Sequence, residues 1–340
     1  MDEPGAGEVR LRLLSAGVCH SDLHACHGGM GADFPYLLGH EGCGVIESTG
    51  EGVDPGRAGE RVVIFWRAPC GRCRFCVRGR PEWCASVGAP GPRLHDAQGA
   101  VLTPVLRSGT FVTHTVVHAD QAIPVDARVP VEVACLIGCC VATGIGAAIW
   151  TAAVRPGDRV AVIGCGAVGL SVIQGATLAG AAQIIAIDLK RDKAEQALAF
   201  GATDAVVAGP DKVAPRVREL SNGQGVDHCF DVVGRPETLA EALSCCDQNG
   251  TAVLVGGPPA RAEVVLPMVQ LWGWRRSVKV CWYGNSLGHR DFPLLSTWYL
   301  QGRLKLDELV SRRIRLDQVE DAFAEMEKGA GLRSVIVFSG

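Results

Sequence analysis

Four of the fifteen cysteines form the most compact chemical motif of this 340-residue chain. Cys70, Cys73, Cys76 and Cys84 follow the spacing C-x2-C-x2-C-x7-C in a loop rich in glycine and arginine. Four thiolates this close together can surround one tetrahedral Zn²⁺ and leave no open position, which is typical of a structural zinc site. An iron–sulfur cluster is the alternative, because C-x2-C-x2-C also occurs in ferredoxins. A proline after the fourth cysteine would favour that cluster, whereas Ala85 stands there, so the motif favours zinc.

A glycine-rich loop predicts a dinucleotide site. Gly164, Gly166 and Gly169 form G-x-G-x-x-G directly after a predicted strand and at the start of a predicted helix. In this context the first glycine makes the turn, the second admits a pyrophosphate, and the third lets helix and strand pack closely. The phosphates then lie at a helix N-terminus. Packing glycines without a ligand are the alternative interpretation, which this context disfavours.

The type of dinucleotide depends on the end of the next predicted strand, where Asp188 stands. A carboxylate there accepts hydrogen bonds from the ribose hydroxyls and repels a 2′-phosphate, which favours NAD over NADP. Lys190 and Arg191 follow and leave some tolerance for NADP open. The cofactor-binding residues predicted in this part of the chain are Gly164, Gly166, Val168, Gly169, Asp188 and Lys193.

Further potential metal ligands are scattered along the first 140 residues. One thiolate, one imidazole and a second thiolate would suit a catalytic zinc that keeps its fourth position open. The candidates fall into three groups, an early cluster, a middle pair and a late pair: Cys19, His20 and His24, then His40 and Glu41, then Cys139 and Cys140. Spacing alone does not show that ligands so far apart converge.

The elements that must position these residues change character along the chain. Residues 8–13 alternate polar and apolar side chains, and residues 42–140 are rich in glycine, proline and short β-branched runs, which predicts a mainly β domain. Between residues 159 and 283, strand and helix patterns alternate, which predicts a doubly wound parallel sheet. We expect a first domain at 1–140 completed by 285–340, and a cofactor domain at 141–284.

Composition narrows the classes of function. A net charge of −3 argues against non-specific nucleic-acid binding. We expect no apolar run long enough to cross a membrane. The acidic, polar start of the chain does not resemble a secretory signal, so we expect a cytoplasmic protein. Clustered cysteines then indicate metal binding rather than disulfides.

Taken together, the motifs resemble the zinc-containing medium-chain alcohol dehydrogenases. The resemblance rests on Gly17-Val18-Cys19-His20-Ser21-Asp22-Leu23-His24, on Gly39-His40-Glu41, on the four-cysteine loop, on residues 135–139 and on the glycine-rich loop. It implies a Rossmann coenzyme domain beside a GroES-like catalytic domain, and two zinc ions with NAD as cofactors. The implied catalytic-zinc ligands are Cys19, His40 and Cys139, with Glu41 as an occasional ligand.

The same resemblance implies roles for the residues around these ligands. Asp22 would hold His40 by a hydrogen bond, Ser21 would take the alcohol proton, and His24 would pass it outward. His20 would lie near the cofactor pyrophosphate. Cys140 stands where the family commonly has glycine, so it is left out of the ligand set.

Other segments are similar to the mycothiol-dependent formaldehyde dehydrogenases. They include residues 64–68, 78–81, 282–284, 290–293 and 299–304. This implies oxidation of the adduct of formaldehyde with a thiol. His24 instead favours a free primary or aryl alcohol or aldehyde, and a catalytically retired structural or cofactor-binding protein is the third alternative. We expect a small-molecule substrate, no nucleic-acid or membrane partner, and a homo-oligomer. The resemblance implies that the interface often lies near residues 265–282, and the apolar side chains of that stretch permit it.

Overall fold

The computed structural model describes residues 1–29, 34–86, 91, 93–209 and 212–338. Their strands are β1 (Glu8–Gly17), β2 (Tyr36–Leu37), β3 (Glu41–Thr49), β4 (Arg61–Ile64), β5 (Thr103–Pro104), β6 (His114–His118), β7 (Ala122–Pro124), β8 (Arg159–Ile163), β9 (Gln183–Asp188), β10 (Asp204–Val207), β11 (Val226–Asp231), β12 (Cys246–Leu254), β13 (Ser277–Val280), β14 (Val310–Ile314) and β15 (Arg333–Val337).

The helices of the described residues are α1 (His20–Cys26), α2 (Arg74–Val77), α3 (Val131–Leu136), α4 (Ala142–Gly146), α5 (Ala167–Ala179), α6 (Arg191–Gln196), α7 (Ala214–Leu220), α8 (Pro236–Cys245), α9 (Met268–Trp272), α10 (Gly288–Leu300) and α11 (Val319–Glu327). A π-helical stretch, Ile137–Val141, joins α3 to α4, and a second, Ala147–Ala152, continues α4, so that one helix runs over Val131–Ala152. Short 3₁₀ turns lie at Pro55–Arg57, Pro81–Trp83, Val105–Arg107, Ala119–Gln121, Ala197–Phe200, Tyr283–Asn285, Asp307–Leu309 and Leu316–Gln318.

The chain divides into two compact units. The first contains Met1–Cys139 and Leu287–Gly340, and the second contains Cys140–Ser286. The first unit is built on a sheet in the order β14-β15-β1-β3-β4-β7, with β6 paired to β1. Alternate residues of β1, namely Val9, Leu11 and Leu13, are buried, as the predicted period-two pattern requires. The predicted mainly β fold of this part is confirmed, and β1 runs on to Gly17.

The second unit contains a six-stranded sheet in the order β10-β9-β8-β11-β12-β13, and every neighbouring pair is parallel. The predicted doubly wound parallel sheet is therefore confirmed. The strand order reverses between β8 and β11, which is where open α/β sheets bind ligands. Strand β11 ends at Asp231, because the N–H groups of Val233 and Gly234 turn back onto that carboxylate.

The expectation that no apolar run is long enough to cross a membrane is wrong. The helix Val131–Ala152 has 22 residues and a mean hydropathy of 2.1, so by length and composition it could cross a membrane. However, 78% of its most apolar window is buried inside the protein, as in a core helix. Its two π-helical stretches, one of which carries Cys139, place irregular backbone inside this helix. Such stretches occur frequently at functional sites.

Candidate zinc and cofactor sites

The four-cysteine loop has the geometry of a closed zinc site. The four Sγ atoms all lie within 4.8 Å of one another. The Sγ of Cys73 is 3.6 Å from that of Cys76 and 3.8 Å from that of Cys84. A tetrahedron with zinc–sulfur bonds of about 2.3 Å has sulfur–sulfur edges of about 3.8 Å, so one ion fits between them. An iron–sulfur cluster would place several irons between the thiolates and hold them further apart.

The backbone of this loop prepares the cluster for a cation. N–H groups of Cys76 and Ala85 lower the pKa of Cys73 to about 6. The N–H of Arg72 likewise lowers the pKa of Cys70, and the N–H of Cys70 donates to the Sγ of Cys84 at 3.3 Å. Thiolates are the form that binds zinc, so these N–H groups favour the ligand form of Cys70 and Cys73, whereas burial and the neighbouring thiols raise the pKa of Cys76 to about 12.

The second group of ligands comes from three separate elements. Cys19 caps the N-terminus of α1, His40 and Glu41 stand at the start of β3, and Cys139 lies in the first π-helical stretch. One ligand atom from each lies within 4.8 Å of the other three. The structure therefore brings together the four residues that the resemblance implied as ligands of a catalytic zinc.

His40 is oriented for metal binding. Its Nδ1 lies 3.0 Å from Asp22 Oδ1, and both side chains are fully buried. A carboxylate can only accept, so Nδ1 carries the proton and Nε2 has the free lone pair. Nε2 is buried and has no nitrogen or oxygen partner among the described residues. An orphaned buried nitrogen beside two thiols fits a zinc ligand.

Asp22 also fixes the backbone that carries the ligands. Its Oδ1 accepts from the N–H of Gly39 at 2.9 Å, and its Oδ2 accepts from the N–H of Cys19 at 3.2 Å. This one carboxylate thus touches His40 itself and the backbone at or next to two of the ligands. Hydrogen-bonded partners of this kind orient metal ligands.

Glu41 carries one paired and one unpaired oxygen. Its Oε1 accepts from Arg333 at 3.0 Å, and both side chains are buried. Its Oε2 has no hydrogen-bond partner in the described part of the chain. Burial raises the pKa of Glu41 to about 7, although Arg333 opposes the rise. Gly17 leaves room for this side chain, because a Cβ there would lie 2.0 Å from Oε2.

A hydrogen bond joins the two thiols of the group, Cys19 and Cys139. The hydrogen bond from Cys139 is the largest cause that lowers the pKa of Cys19, and Arg333 and His40 act in the same direction. Arg333 was missed by sequence reasoning, since 292 residues separate it from Glu41. The signal that could have found it is a single arginine at the start of the apolar strand β15.

The remaining residues of the predicted proton path lie on α1. Ser21 is half-buried, and its Oγ lies 3.9 Å from Cys19 Sγ. His24 is half-buried with its ring against Gly29, where a Cβ would come within 2.2 Å of Nε2. His20, the first residue of α1, is exposed. The structure thus brings Ser21 to the metal ligands, while the relay through His24 and the role of His20 stay predictions.

The glycine-rich loop has the geometry that its motif predicts. Gly164 has a φ of +98°, which favours glycine. A Cβ at Gly166 would meet no atom within 4 Å, so a ligand can approach the backbone there. A Cβ at Gly169 would lie 1.8 Å from the carbonyl oxygen of Gly164, so only glycine lets α5 pack this close to the loop.

Asp188 ends β9 beside this loop. Its Oδ2 accepts from the N–H of Cys165 at 2.8 Å, and its Oδ1 accepts from the N–H of Lys190 at 2.9 Å. The carboxylate is therefore fixed at the carboxyl end of the sheet. Val168 in α5 and Lys193 in α6 are half-buried.

Comparison with known proteins agrees with this architecture. Residues 5–127 match the model of the alcohol dehydrogenase GroES-like domain, and residues 167–301 match that of the zinc-binding dehydrogenases. An S-(hydroxymethyl)glutathione dehydrogenase of Saccharomyces cerevisiae is 36% identical, covering 99% of this chain and 91% of the relative.

Solved structures are similar over the full length. An alcohol dehydrogenase zinc-binding domain protein of Burkholderia ambifaria is 30% identical with a TM-score of 0.93, covering 100% of this chain and 94% of that one. Benzyl alcohol dehydrogenase of Acinetobacter calcoaceticus is 27% identical with a TM-score of 0.92, with the same coverage. The chain is thus an oxidoreductase that belongs to the zinc-dependent, medium-chain alcohol dehydrogenase family.

Proposed function

We propose that this enzyme oxidises a small hydroxyl-bearing substrate with NAD, at a catalytic zinc held by Cys19, His40 and Cys139. One observation carries the proposal: within the described ranges, His40 Nε2 and Glu41 Oε2 are buried beside two thiols and have no hydrogen-bond partner. When bound there, zinc supplies Lewis acidity that lowers the pKa of a substrate hydroxyl. The first unit would then hold metal and substrate, and the second unit the cofactor.

The chain's own residues supply orientation and proton movement. Asp22 holds the Nδ1 proton of His40, so that Nε2 stays available. Arg333 holds one oxygen of Glu41, which disfavours Glu41 as a permanent fourth ligand and leaves a position for substrate. Ser21 Oγ, 3.9 Å from Cys19 Sγ, accepts the substrate proton, and His24 transfers it outward. His20 contributes to binding of the cofactor pyrophosphate.

We assign NAD rather than NADP because of Asp188. Its carboxylate is fixed by two backbone N–H groups at the end of β9. In this fold such a carboxylate accepts from the ribose 2′-hydroxyl and repels a 2′-phosphate. Gly164, Gly166 and Gly169 form the phosphate-binding turn, and Val168 and Lys193 complete the set on α5 and α6.

For the substrate we propose the adduct of formaldehyde with a thiol, mycothiol in particular. The motifs at residues 64–68, 282–284 and 290–293 support it, and so does the S. cerevisiae relative, whose name gives the glutathione adduct. The second candidate is a free primary or aryl alcohol. His24 favours it, and the benzyl alcohol dehydrogenase with a TM-score of 0.92 is consistent with it.

An activity comparison separates the two candidates. NADH formation is measured with formaldehyde alone, with formaldehyde plus mycothiol, with formaldehyde plus glutathione, and with benzyl alcohol. The adduct proposal requires that mycothiol raise the rate with formaldehyde. Full activity with benzyl alcohol and no effect of either thiol would select the free alcohol.

Zinc content tests the catalytic site itself. Wild-type protein should carry two zinc ions per chain, and Cys139→Ala should keep one and lose activity. A Cys139→Ala protein with two zinc ions and full activity would refute the ligand assignment. Near-zero zinc in the wild type would favour a retired protein.

We also propose a homodimer through β13, the edge strand of the parallel sheet in the described residues. Exposed apolar side chains cluster beside it, including Val265 at 90%, Met268 at 76% and Trp272 at 86% exposure. Large exposed apolar patches next to an open sheet edge are typical of interfaces. Light scattering should show a dimer that Trp272→Arg disrupts and that Val77→Arg, an equally exposed apolar position in the zinc loop, leaves intact.

We also propose that the protein is located in the cytoplasm. All fifteen cysteines lie in the described part of the chain, and none of them forms a disulfide there. The two proposed zinc sites use six of these cysteines as thiolate ligands. Thiolate ligands require reduced cysteines, which a reducing compartment maintains.

A further inference from the structure

Three loops at the carboxyl edge of the parallel sheet lie around one buried residue, Asp231. Asp231 ends β11 and pairs with Ile163 at the end of β8 and with Leu254 at the end of β12. The strand order reverses between β8 and β11, so the loops that follow these strands border the crevice where such sheets bind ligands.

Asp231 holds two of these loops with four hydrogen bonds. Its Oδ1 accepts from the N–H groups of Val233 and Gly234, both at 3.0 Å. Its main-chain oxygen accepts from the N–H groups of Val255 at 2.8 Å and Gly256 at 3.0 Å. The turn after β11 and the turn after β12 are therefore fixed by the same residue.

The turn after β11 packs directly on the third loop. A Cβ at Gly164, the first glycine of the phosphate-binding turn, would lie 3.0 Å from Val233 Cγ2. A Cβ at Gly234, whose φ is +78°, would lie 2.6 Å from the backbone of Gly256. Because the turns are packed this closely, a displacement of Val233 or Gly234 must also move the loops after β8 and β12.

Burial of the Asp231 carboxyl group is energetically unfavourable. Asp231 is fully buried, and burial raises its pKa. The nearby Thr238 hydroxyl donates to the carbonyl of Arg235 at 2.9 Å, and Oδ2 of Asp231 accepts no hydrogen bond from the described residues. A half-satisfied buried carboxyl group is unfavourable for packing alone, and such exceptions occur at functional sites.

We propose that Asp231 is a positioning residue for the dinucleotide, presetting the loops after β8, β11 and β12 in their cofactor-binding arrangement. This rests on the proposed NAD-binding function of the second unit. Asp231 acts through Val233, Gly234 and the phosphate-binding turn. Without its Oδ1, the N–H groups of Val233 and Gly234 lose their acceptor, and the cofactor must then order the turn as it binds.

The test compares Asp231→Ala, Asp231→Asn and Asp227→Asn by titration with NADH. Asp227 is the matched control, because it lies on the same strand at the opposite edge and accepts the N–H of Arg159 at 2.8 Å. We expect a Kd for NADH about tenfold higher in Asp231→Ala. Asp231→Asn keeps an acceptor oxygen and should restore binding to within about threefold. Asp227→Asn should equal the wild type.

A role limited to stability would give a different pattern. If Asp231 positions the cofactor-binding loops, the KM for NAD should rise in Asp231→Ala. The KM for the alcohol and the content of two zinc ions per chain should stay unchanged. A lower Tm with an unchanged Kd for NADH would overturn the proposal. If Asp231→Ala does not fold, Gly234→Ala decides: it displaces the same turn, and a Kd within twofold of the wild type would also overturn the proposal.

NADH binding by the wild-type protein distinguishes a failure of the proposed function from a failure of the proposed role of Asp231. Wild-type protein that does not bind NADH would refute the proposed function. Wild-type protein that binds NADH as tightly as Asp231→Ala would refute only the role of Asp231.

Discussion

Replacement of Asp22 by asparagine tests the architecture of the catalytic metal site with minimal change of shape. The carboxylate accepts from three donors: His40 Nδ1 at 3.0 Å, the N–H of Gly39 at 2.9 Å and the N–H of Cys19 at 3.2 Å. Asparagine offers one acceptor oxygen and one NH₂ group. In either orientation, at least one of the three donors faces another donor.

The expected loss follows from these contacts. If the amide oxygen takes the place of Oδ1, the contacts to Gly39 and His40 survive and the N–H of Cys19 loses a charged acceptor, which costs about 1.5–3 kcal/mol. His40 also loses the negative charge that strengthens its nitrogen as a ligand. Loss of such a partner typically weakens metal binding by about 10- to 100-fold, or about 1.4–2.8 kcal/mol.

The assay is zinc release to a chelator, followed together with the zinc content per chain. Asp96→Asn is the matched control in the same unit, because Asp96 is half-buried at the surface and accepts the N–H groups of Gln98 at 2.9 Å and Ala100 at 2.8 Å. Asp22→Asn should release one of its two zinc ions at about tenfold lower chelator concentration. If the release curves of Asp22→Asn and Asp96→Asn superimpose, the proposed role of Asp22 is wrong.

Four further predictions use other parts of the molecule. Cys76→Ser should lose one zinc ion and expose the 70–84 loop to proteolysis, because zinc binding to four thiolates contributes on the order of 10 kcal/mol in model peptides; an intact loop at one zinc ion per chain would contradict this. Gly166→Val should abolish NADH binding in a fluorescence titration while two zinc ions remain, because its Cβ would fill the open space at the turn. Asp188→Asn should lower the ratio of kcat/KM for NAD to that for NADP about tenfold or more, and an unchanged ratio would remove Asp188 from cofactor selection. For Glu41, the pKa in the folded protein is about 7, above its ordinary 4.5. The unfolding free energy of the metal-free protein should therefore fall by on the order of 3 kcal/mol as the pH rises from about 4.5 to about 7. Urea unfolding of Glu41→Gln should lack this fall.

The features predictable from sequence are those whose parts lie close together along the chain. The four-cysteine loop spans fifteen consecutive positions from Cys70 to Cys84, so its spacing alone limits the distances between the sulfur atoms. The glycine-rich loop is also local, and the positive φ of Gly164 and the open space at Gly166 match the motif. Alternating strand and helix patterns predicted the parallel sheet for the same reason.

Features that depend on tertiary contacts could be predicted less well from the sequence. The edge strand β13 has only four residues, Ser277–Val280, three of them exposed, so its pattern carries no core signal. Cys19, His40 and Cys139 became a ligand set only through the family resemblance, because no local pattern makes residues so far apart converge. Asp231 offered a faint signal, an acidic residue at the carboxyl end of an apolar strand.

Arg333 shows why the catalytic site could not be completed from the sequence. It donates to Glu41 Oε1 at 3.0 Å and to the carbonyl of Val18 at 3.1 Å, next to the ligand Cys19. The last strand of the chain therefore has to pair with β1 before the buried charge of Glu41 is compensated. Since removing one partner of a buried ion pair costs about 3–5 kcal/mol, formation of the metal site and docking of the C-terminal segment are energetically coupled. That coupling depends on contacts between residues nearly 300 positions apart, which spacing within a motif cannot encode.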